Sequence, residues 1–365
     1  MAIQNSKPTI AFLGALPPPI GGITVDLQRL TERLETEGYE YTVYDLLNQR
    51  KIRPGGVSVR IRNRLWWMFK YFFLAREDLI CCHHVDWRVR SAVGLMTLLG
   101  KKTLISVGGQ RLSDDLARGN WLRKKIIAFS LRHYSYVITH NPVIRRRCLS
   151  LGVKAERLEI IYGFIPPRVK EEEIKSIPEE VWDFVDSHNP VISVNAFKIV
   201  FYKNQDLYGI DLCVDLCANL KSAYPGIGFV FCLPNTGDAD YFQKMKQRII
   251  DKGIEGNFRF VTGSHQFYPI LMKSQVFLRP TNTDGDATSL REALFIKVPS
   301  VASDVFPRPE GTILFRNREI DDFTSKVKDL LDNYERYKNI LNTVEIEDNF
   351  QKLITVYQKL ISHHR

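Results

Sequence analysis

Arg279-Pro-Thr-Asn-Thr-Asp-Gly-Asp-Ala-Thr-Ser-Leu-Arg-Glu-Ala-Leu294 decides how this chain folds. Just before it, 276–278 is an apolar run of strand length; the polar middle around Gly285 has to be a loop, and a helix begins near Thr288. Strand, loop and helix in that order are the parts of a parallel sheet covered by helices. Ligands of such sheets bind beyond the carboxyl ends of the strands. Two carboxylates flank the helix start, Asp284 in the loop and Glu292 one turn into the helix. Backbone amides at a helix start attract anions and hydroxyl oxygens. A carboxylate on each side of that start can grip neighbouring hydroxyls of the kind sugars and riboses present. A helix capped by Asp286 or Thr288 accounts for the same residues equally well.

The same alternation continues outward in both directions. Strand patterns at 191–194, 228–231, 258–262, 276–278, 300–302 and 313–315 are separated by helical stretches near 209–223, 239–252, 266–273, 288–296 and 320–340. An earlier series has strand patterns at 9–13, 39–44, 79–82, 103–107, 136–139 and 158–162, with a helical period over 23–37 that Gly38 stops. The chain therefore reads as α/β, with two doubly wound domains facing each other across a cleft. The boundaries expected are 1–168 for the first domain, 169–188 for a charged linker opening at Glu171-Glu172-Glu173, and 189–345 for the second. A last helix within 346–365 exceeds the needs of the second sheet and is free to pack back on the first domain.

Composition narrows the function. Of 365 residues 44% are hydrophobic and 25% charged, which excludes disorder, collagen and low complexity as the main theme. The longest apolar-looking run, 65–75, is broken by Lys70, and a spanning helix needs about 20 apolar residues. The amino terminus lacks the pattern of a signal peptide. Six cysteines form no Cys-x-x-Cys pair, and Cys213 with Cys217 lacks the partners of a zinc set, so they read as reduced thiols of a cytoplasmic protein.

The net charge of +10 is unevenly spread. Residues 1–170 hold 28 Lys and Arg against 13 Asp and Glu, whereas the remainder holds 23 against 28. An anionic partner for the first half follows, with nucleic acid, an acidic membrane and a phosphorylated lipid as candidates. Nucleic acid is the weakest, since no recognised module accompanies the charge. Within Arg60-Ile-Arg-Asn-Arg-Leu-Trp-Trp-Met-Phe-Lys-Tyr-Phe-Phe-Leu-Ala-Arg76, Leu65, Met68, Phe69 and Phe72 share a helical face. That face suits a headgroup layer or the packing of a core helix.

The spacing of Asp284 and Glu292, carboxylate-x7-carboxylate, resembles that of family 4 glycosyltransferases, which have the GT-B architecture of two Rossmann-like domains. Val298-Pro-Ser-Val-Ala-Ser-Asp-Val305, Tyr162-Gly-Phe-Ile-Pro-Pro167 and the loop 17–24 resemble further parts of that family, so the likeness runs over nearly the whole chain. It implies retaining transfer of a sugar from a nucleotide-sugar, UDP- or GDP-linked, without a metal or other cofactor. Glu292 would bind the donor ribose and Asp284 the donor-sugar hydroxyls, with Gly285, Asp286, Ala287 and Thr288 lining the donor site. Lys198 and Lys203 are the cations available for the diphosphate, and Arg279 either joins them or pairs with Asp284. Asp284, Glu292 and Lys198 are the catalytic candidates, and Gly21 and Gly22 form the phosphate and acceptor loop. Alanine at Asp284 or Glu292 is expected to abolish transfer and leave the fold intact.

The implied acceptor is a glycan or a lipid-linked sugar in bacterial cell-surface polysaccharide or capsule synthesis. The implied place is the cytoplasm, at the inner face of an anionic membrane, with no role for nucleic acid. Two departures stand out. The family often has a His after the strand at 103–107, where this chain has Val107-Gly108-Gly109-Gln110; the nearest candidates are His83, His84 and His140. Lys297 stands where the family usually has glycine. A nucleotide-sugar epimerase of the same fold and a non-catalytic nucleotide-sugar-binding protein are the alternatives. A further one reads Asp284-Gly-Asp286 as the Asp-x-Asp metal site of single-domain (GT-A) transferases.

Overall fold

The computed structural model describes residues 8–17, 22–45, 56–58, 64–83, 85–108 and 111–362. The chain forms two compact units, Met1–Ile165 with Asp348–Arg365, and Pro166–Glu347.

In the first unit, β1 (Thr9–Gly14), β2 (Glu40–Asp45), β3 (Gly56–Ser58), β4 (Leu79–His83), β5 (Thr103–Val107), β6 (Tyr136–Thr139) and β7 (Leu158–Ile160) form one parallel sheet in the order β3-β2-β1-β4-β5-β6-β7. β4 and β5 are buried at every residue, as befits strands covered on both faces. Successive side chains point to opposite faces of a strand. Ala11, Leu13, Ile80, Cys82 and Ile105 accordingly pack with helices Arg64–Leu74, Trp87–Met96 and Trp121–His133. Ile10, Phe12, Leu79, Cys81 and Leu104 pack with helix Gly22–Thr36 and with the last helix, Phe350–Ser362.

In the second unit, β8 (Val191–Asn195), β11 (Gly228–Leu233), β12 (Phe258–Thr262), β13 (Val276–Arg279), β14 (Ser300–Ser303) and β15 (Thr312–Phe315) form a parallel sheet in the order β12-β11-β8-β13-β14-β15. The short strands β9 (Phe201–Tyr202) and β10 (Gln205–Asp206) pair as an antiparallel hairpin. The strand order reverses between β8 and β13, as it does between β1 and β4 in the first unit. Ligand crevices of doubly wound sheets open at such reversals, outside the carboxyl ends of the strands.

Three expectations change. The segment 169–188 is not a linker, because helix Glu179–Ser187 lays Val181, Phe184 and Val185 on Val191, Val230 and Val261 of the second sheet. The stretch 320–340 is two helices, Ile320–Asp332 and Tyr334–Thr343, and no Gly or Pro marks the break at Asn333. The hairpin went unread because its turn is Lys203-Asn204, at φ 49° and 61°, without the glycine that usually signals such a turn.

Lys297 has a physical role. It ends helix Thr288–Phe295 in a left-handed conformation, φ 62°, which explains why a glycine suits the position. Its N–H donates to the Leu294 carbonyl at 3.0 Å, and the N–H of Val298 reaches that of Ala293 at 2.8 Å. The Lys297 ammonium donates to the Leu341 carbonyl at 2.9 Å and to that of Val344, where helix Tyr334–Thr343 ends. These charged contacts offset the backbone strain. Lys297→Ala keeps the strain and loses the contacts, so it should destabilise the second unit by about 1–3 kcal/mol. Lys297→Gly loses only the contacts and should cost roughly 1 kcal/mol less. Urea unfolding of the two variants checks this; equal losses would contradict it.

Candidate functional site

The loop from β13 to helix Thr288–Phe295 is folded around one carboxylate. Arg279, the last residue of β13, donates from Nε to Asp284 Oδ2 at 3.0 Å and from Nη2 to Oδ1 at 3.3 Å. Arg308 donates to Oδ2 at 2.9 Å, the Thr281 hydroxyl donates to Oδ2 at 3.0 Å, and the N–H of Gly285 donates to Oδ1 at 2.9 Å. These five hydrogen bonds saturate a carboxylate, which has about four lone-pair sites. Burial alone would raise the Asp284 pKa, but the two guanidinium groups outweigh it and hold the carboxyl down at about 2. Asp284 thus faces protein donors rather than free sugar hydroxyls. One carboxylate against two guanidinium groups leaves this network a surplus of one positive charge.

The network reaches three strand ends. Arg279 Nη1 donates to the Asn195 carbonyl at 3.2 Å, at the end of β8. Arg308 Nε donates to the Ser303 carbonyl at 3.1 Å, at the end of β14. The Tyr208 ring lies under the Arg279 guanidinium at 5.3 Å. Sequence reading missed Arg308, Thr281 and Ser303. Arg308 lies 24 residues beyond Asp284, and no local spacing connects them.

Asp286 accepts from Arg291 Nε at 2.7 Å; burial raises its pKa while Arg291 opposes that shift. Both carboxylates of Asp284-Gly285-Asp286 are therefore paired with arginines, which accounts for them without the Asp-x-Asp metal reading. Neither Asp286 nor Thr288 caps the helix. The cap position is Ala287, whose methyl group accepts nothing. Glu292, on the same helix, is only 5% exposed.

The helix that follows β8 differs. Asp206 accepts from the N–H of Ile210 at 2.6 Å and from that of Tyr208 at 3.0 Å, closing the start of helix Ile210–Lys221. Burial, then the charge of Asp211, raises the Asp206 pKa to about 6. Gly209 precedes that helix at φ 68°, and a Cβ there would lie 2.6 Å from the Pro280 carbonyl. Of the two helices at the reversal between β8 and β13, one start is closed by a carboxylate and the other lacks a side-chain cap.

The remaining candidates fall outside the Asp284 network. Lys198 is exposed and bridges to Asn235; Lys203 is exposed at the hairpin tip, with its ammonium 5.5 Å from the centre of the Tyr202 ring. Gly21 and His84 lie outside the described residues, and Gly22 is the first residue of helix Gly22–Thr36. In the first unit, His140 Nε2 is 2.7 Å from the Ser106 hydroxyl. His83 ends β4, and burial followed by the nearness of His140 pushes its pKa down to about 3. The carboxyl end of the sheet, where the family often has its His, thus carries two buried imidazoles at the ends of β4 and β6, on either side of β5.

No protein-family model matches the sequence, and no curated protein matches it. Solved structures match over almost the whole chain. HepE of Anabaena, in complex with UDP, superposes with a TM-score of 0.67 at 13% identity, over 98% of this chain and 99% of that one. A glycosyltransferase from Rickettsia africae gives 0.70 at 11% identity, over 98% and 99%. Sucrose-phosphate synthase of Thermosynechococcus elongatus gives 0.65 at 14% identity, over 98% and 100%. Such low identities speak to architecture, and the architecture is GT-B.

Asp284→Asn would leave two largely buried guanidinium groups without their counter-ion, so alanine or asparagine there disturbs the fold as well as the site. The variant should lose about 3–5 kcal/mol of stability at neutral pH. The native carboxyl titrates below its unfolded value of 3.8, so its stabilisation is complete above that pH and is lost as pH falls toward about 2. Denaturation curves of both proteins from pH 7 to 2.5 should show their difference shrinking only below about pH 4.

Proposed function

We propose that this chain is a retaining glycosyltransferase that moves a hexosyl group from a UDP- or GDP-sugar to a glycan or lipid-linked acceptor in bacterial cell-surface polysaccharide synthesis. The observation that carries the reading is the helix start at Ala287-Thr288, which lacks a side-chain cap beside a network with surplus positive charge, at the strand reversal of a GT-B chain. Structures of similar architecture support the donor class: HepE was crystallised with UDP and with UDP-glucose.

In this reading the first-turn amides of helix Thr288–Phe295 receive the donor diphosphate, and Arg279, fixed by Asp284 and Tyr208, supplies the compensating charge. Glu292 accepts from the ribose hydroxyls. The bond from the anomeric carbon to the diphosphate oxygen breaks while the bond to the acceptor oxygen forms on the same face. The departing diphosphate takes up the acceptor proton. Charge build-up on the leaving group meets guanidinium and amide dipoles already in place, so the chemistry needs no metal. Donor-sugar hydroxyls fall to the backbone of 285–288, since Asp284 is committed to arginines. Lys198 and Lys203, exposed on the loops after β8, are assigned to the diphosphate only once a ligand draws them in.

Titration calorimetry and turnover with UDP-, GDP- and ADP-sugars in EDTA test the assignment. One UDP- or GDP-sugar should bind without metal, and Glu292→Gln should weaken it by roughly tenfold or more while keeping the native melting temperature. Absence of binding to every donor would overturn it. Inversion of the sugar in the absence of any acceptor would convert it to an epimerase.

A further inference from the structure

Two helices of the first unit carry apolar side chains that the core does not use. Helix Arg64–Leu74 turns Tyr71, Trp67, Met68 and Phe72 toward the sheet, and Trp67 stacks on Tyr71 at 4.7 Å. Its other face holds Trp66, 68% exposed, with Phe69, Phe73 and Leu74, all exposed. The outer rings touch one another, Trp66 to Phe69 at 6.0 Å and Phe69 to Phe73 at 5.2 Å, and Phe73 meets Phe72 at 5.1 Å where the outer face adjoins the packed one.

Helix Trp121–His133 repeats the arrangement. Ile127 and Leu131 enter the same core cluster, while Trp121, 68% exposed, Leu122 and Phe129 stay outside. Both helices flank helix Trp87–Met96 on one face of the sheet, so their outer faces look the same way. The turn that follows that central helix adds exposed Leu98 and Leu99.

The charge on these two helices has one sign. Neither Arg64–Leu74 nor Trp121–His133 contains Asp or Glu, and Lys70, Lys124, Lys125 and Arg132 are exposed. Lys125 lies 4.9 Å from the Trp121 ring centre. Aromatic rings interleaved with cations suit the boundary between headgroups and acyl chains, where rings enter and ammonium groups meet phosphates. A second copy of this face would bring like charges together, which disfavours self-association. No helix among the described residues is long and apolar enough to cross a membrane.

We infer that the outer faces of helices Arg64–Leu74 and Trp121–His133 form a docking surface for an anionic phospholipid bilayer, with Trp66, Phe69 and Trp121 entering the interface. The surface needs no nucleotide-sugar, so it stands or falls apart from the donor reading, and with that reading it places transfer beside lipid-linked acceptors.

The full-length protein is sedimented with phosphatidylcholine vesicles and with vesicles that also contain phosphatidylglycerol, in low and high salt. It should bind the anionic vesicles, more weakly in high salt, with a blue shift of tryptophan fluorescence. Lys124→Glu with Lys125→Glu should reduce partitioning by roughly twenty-fold or more, given about five-fold per removed cation. Trp66→Ser with Phe69→Ser should reduce it by roughly tenfold or more. Melting temperature and nucleotide-sugar affinity of both variants, measured on the same samples, should stay unchanged. Failure to bind anionic vesicles, or binding that neither variant weakens, overturns the inference. So does a dimer in solution that Trp66→Ser with Phe69→Ser dissociates, which would assign the face to a second copy.

Discussion

The second unit depends on one carboxylate held between two arginines. Asp284 ties the end of β13, through Arg279, to the end of β8, and through Arg308 to the end of β14. These strand ends frame the place where the sheet order reverses. Three largely buried charges need each other, because such a charge without its partner costs several kcal/mol. The loop 280–287 therefore keeps one shape, and the helix that follows it starts in a defined direction.

That rigidity gives the open helix start chemical meaning. Electrostatic stabilisation works best when dipoles and charges are fixed before charge develops, since no reorganisation is then needed. Asp206 accepts from the first amide of the neighbouring helix, whereas the helix that Ala287 starts has no side-chain cap. Gly209 lets the two loops approach, because any side chain there would strike the Pro280 carbonyl. The hairpin at 201–206 is fastened to the same assembly by Asn282, whose amide donates to the Tyr202 carbonyl at 3.3 Å.

The first unit is organised by different physics. The carboxyl end of its sheet holds His83 and His140 in burial deep enough to keep His83 neutral at ordinary pH. Its helical layer carries aromatic rings and cations outward. The excess of basic over acidic residues in 1–170 is therefore not a diffuse property of composition, since part of it is concentrated on helices that bear no carboxylate.

The sequence by itself determined the architecture. Strand periods and helix periods are local, and every strand of the two main sheets except β3 is legible as an apolar run between turns. It also determined where the site belongs, because a loop between a strand end and a helix start occupies the ligand side of such a sheet. Only the tertiary structure decided what the residues there do. Arg279 is legible in sequence as a partner for Asp284, but Arg308 arrives from a loop 24 residues away, and a charge network assembled from three loops leaves no spacing to detect. The same holds for 169–188, whose charged start hides Val181 and Phe184, and for helix Arg64–Leu74, where Met68 and Phe72 pack on the core while Phe69, read as part of the same face, is exposed. Which of them are covered depends on the neighbouring helices, and that is settled by packing rather than by any pattern along the chain.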